Sequence, residues 1–415
     1  MHQRTWLSLL TLPLVVTFTI PMFYQQVPKP VKTASGALTL NDPLAGLADI
    51  QDVLAHIRVN YVDVPDMQKV LAGGIQGALE RANILNSYLT HEETQLPDPG
   101  SGETGLTLIK DRLFAVVIGV TPGSPAARAG FQIGDGIRKL DGESLGSMSH
   151  WAMERRLRGS VGSEITLVKI SSGSSELKNI VLKREKPQHP AIESRIDHRA
   201  TMVTLPDLAE GRAKELNKLF KTVDNSLPLV VDLRKCIGGS YDEAAKVASM
   251  LGCEGVFATL QEMGYPDRPI NIPLSEKLTF KKIAVLTGLG TIGPAETLAV
   301  ALRHLGDNVP EASKPVKTVI SLGDRTIGQA VERKRFPLKQ GGAVELVTRR
   351  WVGSGGEQLD KTGAAPDYTL RGIPASEDIL PRILEALEKG PTKNKEESRR
   401  VARLTQDQIL CPIMA

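Results

Sequence analysis

The sequence is poor in the residues that build metal centres and base-stacking surfaces. It holds three cysteines, Cys236, Cys253 and Cys411, and seven histidines. No two cysteines form a C-x-x-C pair and no histidine spacing resembles a zinc site, so neither a metal nor any other cofactor is expected. The odd cysteine count also argues against a disulfide-built scaffold. Aromatic residues make up 4% of the chain, which leaves little for stacking on bases. An excess of one charge is lacking too: 51 Lys and Arg stand against 47 Asp and Glu, a net +4. The two signs are interspersed, and nucleic-acid binding is therefore not expected.

What is present is the balance of a folded protein, 41% hydrophobic and 24% charged over 415 residues. That length holds roughly two to three domains. One long run carries no charge, "WLSLLTLPLVVTFTIPMFY" from Trp6 to Tyr24. It approaches the roughly 20 residues of a membrane-spanning helix and exceeds the h-region of a signal peptide, about 7–15 residues. Pro13 and Pro21 are tolerated in spanning helices, while "TASGA" at 33–37 offers a cleavage point. Three readings stay open: a retained anchor, a cleaved signal and a buried core helix. Arg4 before the run and Lys29 and Lys32 after it leave orientation open. With the N-terminus inside, the first two readings place the remainder outside the cytoplasm, in the periplasm or at the cell surface.

After a Pro/Lys-rich linker, Leu47, Ile50, Leu54 and Ile57 share one helical face that ends near Tyr61, and a second helix is expected over Asp66 to Ala82. "LNSYLTHEE" follows, then the turn-forming "TQLPDPGSGET". Residues 105–185 read as a small β-rich module. "FAVVIGV" is a strand, and "GSPAARAG" a short helix with Ser124 as N-cap, Pro125 at its first position and Gly130 as C-cap. "GDGIRKLDGESL" supplies a strand and an Asp-Gly turn. "SHWAMERRLRG" is an amphipathic helix with Trp151 and Leu157 on its apolar side, and "EITLVKI" and "KNIVLKRE" form a strand pair. From about 195 strands and helices alternate. "PLVVDLR", "KIAVLTG" and "KTVISLG" are apolar strands of the kind buried on both faces. "SYDEAAKVASMLG", with Gly252 as C-cap, and "PAETLAVALRHLG" are helices. Functional groups are expected where such strands hand over to helices.

The phrase "GSPAARAGFQIGDGIRKLDGESL" resembles the circularly permuted bacterial PDZ domain. The resemblance implies that Gly105, Leu106, Thr107 and Leu108, with Trp151, form a groove in which backbone N–H groups meet a peptide's terminal carboxylate and a strand edge pairs with the peptide. A plain hairpin whose groove is closed by its neighbour is the competing reading.

The second half resembles the carboxyl-terminal processing (tail-specific) serine peptidases. "VVDLRKCIGGSYDEAAKVAS" is similar to their DLRxNxGG segment, "VLTGLGTIGPAETLAVAL" to their strand, turn and helix, and "SLGDRTIGQA" to their GExTFGKG. "LNSYLTHEE" and "RRWVGSGGEQLDKTGAAPD" extend the likeness from about 45 to 370. The resemblance implies an α/β peptidase core of the crotonase/Clp-like tail-specific fold, with an inserted PDZ domain and N-terminal helices. The expected organisation is an anchor or signal with linker at 1–43, helices at 44–94, PDZ at 102–186, core at 195–388 and a charged tail at 389–415.

That family implies a Ser/Lys dyad: a serine attacks the peptide carbonyl, a lysine kept neutral by burial takes its proton, and backbone N–H groups hold the oxyanion. Matched to Glu296 of the turn, the serine position falls on Gly293 and the lysine position on Gln329. The neighbouring oxyanion donor falls on Pro294, which has no N–H. The Gly-Gly turn survives as Gly238 and Gly239. The chain is therefore expected to keep the shape of the site without its chemistry. It would be a membrane-tethered pseudopeptidase that binds protein C-termini or partner proteins.

Each residue that could substitute chemically also has a structural reading. Thr291 is the candidate stand-in nucleophile for an alternative, active serine-type endopeptidase. Cys236 reads as a small buried side chain, Ser240 as a helix cap, and Asp232 with Arg234 as an ion pair that fixes the turn. Lys334 and Lys282 reach the base position only with a shifted register. Glu296 suits a helix start through the dipole, and His150, His189, His198 and His304 read as surface residues. A third reading makes the chain a structural membrane protein whose PDZ only packs against the core. The oligomeric state is open.

Overall fold

The computed structural model describes residues 46–111, 113–274, 278, 280–305, 316, 318–370 and 378–391. The run from Trp6 to Tyr24, the 27–43 linker and nearly all of the charged tail lie outside them. Among the described residues no helix is long and apolar enough to cross a membrane. Helix Leu47–Asn60, which ends at the C-cap Tyr61, belongs to a first unit that closes at Val62. Everything below belongs to the second unit, which begins at Asp63.

Helix Met67–Ala82 opens on Asp66, whose carboxylate accepts from the N–H groups of Gln68 and Lys69. The β-rich module follows as a sheet in the order Leu106–Asp111, Phe114–Val120, Gly136–Leu140, Glu164–Ile170, Leu177–Lys183. Ser124 caps helix Pro125–Arg128 as expected, but the C-cap is Ala129, and Gly130 is the left-handed residue beyond it (φ +75°). In helix His150–Leu157 the buried residues are His150, Met153 and Leu157. Trp151, expected on the apolar side, is half-buried and lies between the guanidinium groups of Arg155 and Arg335, 5.5 and 5.6 Å from its ring.

The core is a mostly parallel sheet ordered Tyr368–Thr369, Thr318–Gly323, Lys282–Thr287, Leu229–Asp232, Ala200–Thr204, Glu193–Asp197, the last strand antiparallel. Side chains alternate between its faces. Val231, Ile283, Val285 and Val319 pack under helices Arg212–Phe220, Tyr241–Met250 and Pro294–Arg303. Val230, Ala284, Leu286 and Ile320 pack against helix Leu380–Lys389. Covering both faces explains the unbroken apolar runs of these strands. Helix Tyr241–Met250 is capped at Leu251, with Gly252 the positive-φ residue after it.

A second sheet, not anticipated from the sequence, is ordered Ser87–Leu89, Ala343–Gly353, Val256–Glu262, Arg268–Asn271, and Val331–Pro337 pairs with Ala343–Gly353. Strand Val331–Pro337 carries four consecutive charges, "VERKRFP", and Ala343–Gly353 holds Glu345, Arg349 and Arg350, so neither shows the continuous apolar run that marks a buried strand.

The module docks on the core through Ile109, Val116 and Ile118, which cluster with Ile237, Leu289, Ile292 and Ile327. The approach is close: a Cβ on Gly119 would lie 2.3 Å from Ile237 Cδ1, and one on Gly290 would lie 2.9 Å from Ile133 Cδ1 and 3.0 Å from the Ile118 carbonyl. Arg333 adds a bidentate pair to Glu154 at 2.8 and 3.0 Å, and Ser87 Oγ accepts from the Trp151 N–H at 3.0 Å.

Candidate functional site

Three segments converge where the strands hand over to helices. Strand Lys282–Thr287 runs through 288–292 into helix Pro294–Arg303. At its start Gly293 has φ +60° and ψ −113°, a conformation L side chains adopt only under strain. A strand-to-helix elbow that presents a nucleophile has this sharp, strained form. Pro294 occupies the first helical position, so no N–H points out there. A Cβ at Gly293 would make ordinary contacts without a clash, 3.7 Å from the Gln329 carbonyl and 3.8 Å from the Tyr241 hydroxyl.

The second segment is the turn after strand Leu229–Asp232. Arg234 pairs with Asp232 at 2.6 Å, and its N–H bonds the same carboxylate, so the pair fixes the turn. Gly238 and Gly239 follow at φ +73° and +113°. Gly239 must be glycine, because a Cβ would lie 2.3 Å from the Leu208 backbone. Leu208 N donates to the Gly238 carbonyl at 3.2 Å and Ser240 N to the Leu208 carbonyl at 2.9 Å. Ile292 N donates to the Cys236 carbonyl at 3.2 Å, and the Ile237–Ile292 bridge sets this turn beside Gly293.

The third segment, 324–330, is held by Glu296. That carboxylate has no exposed surface and accepts from Gly293 N (3.1 Å), Gly328 N (2.8 Å), Gln329 N (2.8 Å) and the Thr326 hydroxyl. One side chain thus ties the turn at Gly293 to the loop bearing Gln329. Burial pushes the Glu296 carboxyl up to about 7, outweighing the four hydrogen bonds that favour its charge. The sequence suggested only the dipole for this residue. Gln329 is half-buried, and its Nε2 is buried with no hydrogen-bond partner.

The stand-ins are spent elsewhere. Thr291 is fully buried, donating to the Leu233 carbonyl at 2.8 Å and accepting from Gly288 N at 3.0 Å. Cys236 is buried in the core, and burial drives its thiol well above the usual range. Ser240 caps helix Tyr241–Met250 through the N–H groups of Asp242 and Glu243. Lys282 pairs with Glu388, and Lys334 lies over the Phe336 ring. The histidines need one correction. His150 is 3% exposed, with Nε2 on Glu154 at 3.1 Å, because it starts a helix that packs into the module. His304 is half-buried against Glu357, while His189 and His198 are exposed.

Sequence reasoning missed Tyr241. Its ring stacks on Trp351 with centroids 4.0 Å apart and planes at 23°, and Trp351 Nε1 donates to Glu332 at 3.2 Å. Burial, with the charges of Glu296 and Glu332, pushes the phenol far above its ordinary range. The available clue was its place in the first turn of the helix after Gly239.

Gly105, Leu106, Thr107, Leu108 and Trp151 come together, lining a cleft of about 830 Å³ that also touches Ile237, Arg333 and Arg335 of the core. That volume lies in the range of ligand sites, about 300–1,000 Å³. Among the described residues, strand Leu106–Asp111 pairs only with Phe114–Val120, which leaves its other edge without a strand partner. Gly105 stands at φ +79°, and a Cβ there would strike Ser124 at 2.1 Å. Leu106 and Leu108 also belong to the module's core, and the Leu106 N–H donates to Thr104 Oγ1 at 3.3 Å.

Comparison with known proteins agrees with this architecture. Residues 199–370 match the model of peptidase family S41, and residues 116–168 match a PDZ domain model. A carboxy-terminal-processing protease of Bartonella bacilliformis is 24% identical over 335 residues, 78% of this chain and 75% of that protein. A probable CtpA-like serine protease of Staphylococcus aureus is 26% identical over 336 residues, 79% of this chain and 65% of that one. Among solved structures, a photosystem II D1 C-terminal processing protease superposes with a TM-score of 0.58 at 20% identity, over 77% of this chain and 86% of that one.

Proposed function

From the premise that this chain is a PDZ-containing member of the C-terminal processing peptidase family, S41, we propose that it has kept the family's site as a binding cleft and lost its chemistry. One observation carries the proposal. The positions that the family resemblance gives to nucleophile, base and one oxyanion donor are Gly293, Gln329 and Pro294, in a turn that otherwise keeps its geometry. Without a nucleophile there is no covalent intermediate, and losing one oxyanion donor alone costs about 10²–10³ in rate. Thr291, the alternative nucleophile, has its hydroxyl committed to the turn.

The chain on this reading is a membrane-tethered, extracytoplasmic pseudopeptidase. It captures protein C-termini through the groove at Gly105–Thr107–Leu108 and Trp151, by strand addition to the edge of Leu106–Asp111 that has no strand partner among the described residues. The uncharged run from Trp6 to Tyr24 supports the tether. Fluorescence anisotropy with a peptide ending in an apolar residue and a free carboxylate tests the binding half. Saturable binding, lost when the terminus is amidated, is expected. Equal affinity for the amidated peptide, or no binding, contradicts it.

A further inference from the structure

Arg325 departs from the way this protein treats its other buried guanidinium groups. Arg212, 6% exposed, faces Asp207 at 2.7 Å and Glu215 at 2.7 Å. Arg184, 7% exposed, pairs with no carboxylate among the described residues and leaves Nε buried without a partner, but it gives both terminal nitrogens to Ser163 Oγ and to the carbonyls of Glu164 and Arg156. Arg325 is 6% exposed, and only Nη1 is used, on the carbonyls of Thr362 (2.7 Å) and Gly363 (3.2 Å). Its Nε and Nη2 are buried without a hydrogen-bond partner. No carboxylate among the described residues pairs with it.

The surroundings add positive charge. Arg303 is near enough to act on Arg325 as a like charge, and with burial it lowers the Arg325 guanidinium to about 10. Arg303 itself pairs with Asp367 at 3.3 Å, a carboxylate that also accepts from the N–H and hydroxyl of Ser321 at 2.8 and 2.9 Å. Arg325 is therefore a cation mostly closed to water, with a like charge near it and no carboxylate of the described residues on it. A buried charge is normally paired, and an unsatisfied buried donor in a native fold calls for a cause.

The unused atoms indicate which partner is missing. Nε and Nη2 form the side of a guanidinium that receives two oxygens in parallel. We propose that Arg325, with Arg303 beside it, is the receptor for a two-oxygen oxyanion of the carboxylate or phosphate class, gripped by the Nε–Nη2 edge. Because those nitrogens carry no exposed surface, entry requires the 360–367 loop, which supplies both carbonyls, to move aside. Occupancy would stiffen the 324–330 segment that Glu296 ties to Gly293, since the neighbouring Thr326 hydroxyl bonds Glu296 and accepts from Ala364 N at 2.7 Å. The inference does not depend on whether the cleft is catalytic.

Thermal unfolding of the full chain tests it, with sodium chloride replaced by sodium phosphate or sodium acetate at constant ionic strength. A saturable rise in midpoint over chloride is expected for at least one of the two. A response to phosphate alone identifies a free inorganic anion, and a response to acetate alone a carboxylate such as a polypeptide supplies. Arg325→Met should bind that anion about tenfold more weakly or worse. It should also be at least as stable as the parent in chloride, because it removes a lone buried charge. Absence of any anion-specific rise in the parent chain overturns the proposal even if Arg325→Met fails to fold. An equal rise in Arg325→Met overturns it as well, by placing the anion elsewhere.

Discussion

At the scale of single residues, Gly293 and Glu296 hold most of what the site has kept. The φ of +60° at Gly293, which on the proposed reading belonged to a nucleophile, is carried by a residue that feels no strain in it. Gly293→Ser is expected to lower stability by about 1–3 kcal/mol, the usual cost of a side chain in such a conformation. Steric clash should add nothing, with the nearest atoms at 3.7 Å and beyond. Denaturant unfolding checks this, and a much larger loss would mean the space is not open. Glu296 gives a pH signature. Its carboxyl is raised from 4.5 to about 7 in the folded chain, so between those values the folded state holds a proton that the unfolded state has released. Its contribution to stability is complete below about 4.5 and declines as pH rises toward 7. The stability difference between the parent and Glu296→Gln should therefore change in the parent's disfavour across that window. A difference flat in pH would show that Glu296 titrates normally. The sequence revealed Glu296 only as a helix-start acid, because its partners at 326–329 lie across a crossover that no local pattern displays.

At the scale of elements, the parallel strands and their helices were legible, since burial on both faces writes itself as an apolar run and the helix starts carry caps such as Ser240 and Pro294. The second sheet was not. Strands Val331–Pro337 and Ala343–Gly353 are half-exposed and laced with ion pairs such as Arg335–Glu345 at 2.6 Å, and their register is a long-range fact. Yet that hairpin supplies Arg333 and Arg335 to the cleft, so the peptide groove is built by the module and the core together. Burial opposes charge on Glu154, but its hydrogen bond to His150 and the charges of His150 and Arg333 hold the carboxyl down at about 2. Arg333→Ala should weaken peptide binding and increase amide exchange along His150–Leu157, while leaving exchange in the parallel sheet unchanged. Unchanged exchange in that helix would show that the pair positions nothing.

At the scale of the whole molecule, the module's isoleucines rest on the same turns that carry Gly238, Gly239 and Gly293. Each such buried side chain contributes about 1.5–3 kcal/mol, so the module and the core are expected to unfold together. Deletion of 105–185 should expose Ile237, Ile292 and Ile327 and lower the midpoint of the remainder. An unaltered midpoint would show that the module is merely appended.

The account predicts a site whose scaffold survives and whose reacting groups are gone. Gln329 stands half-buried, where burial could keep a lysine neutral, and Gly293 has room for a serine. The most direct measurement incubates an unstructured polypeptide with an apolar C-terminus with the parent chain and, in parallel, with Gly293→Ser/Pro294→Ala/Gln329→Lys, and follows intact substrate by mass spectrometry. The parent should leave the substrate whole while the triple variant cleaves it. Cleavage by the parent chain, lost in Thr291→Ala, would contradict the account.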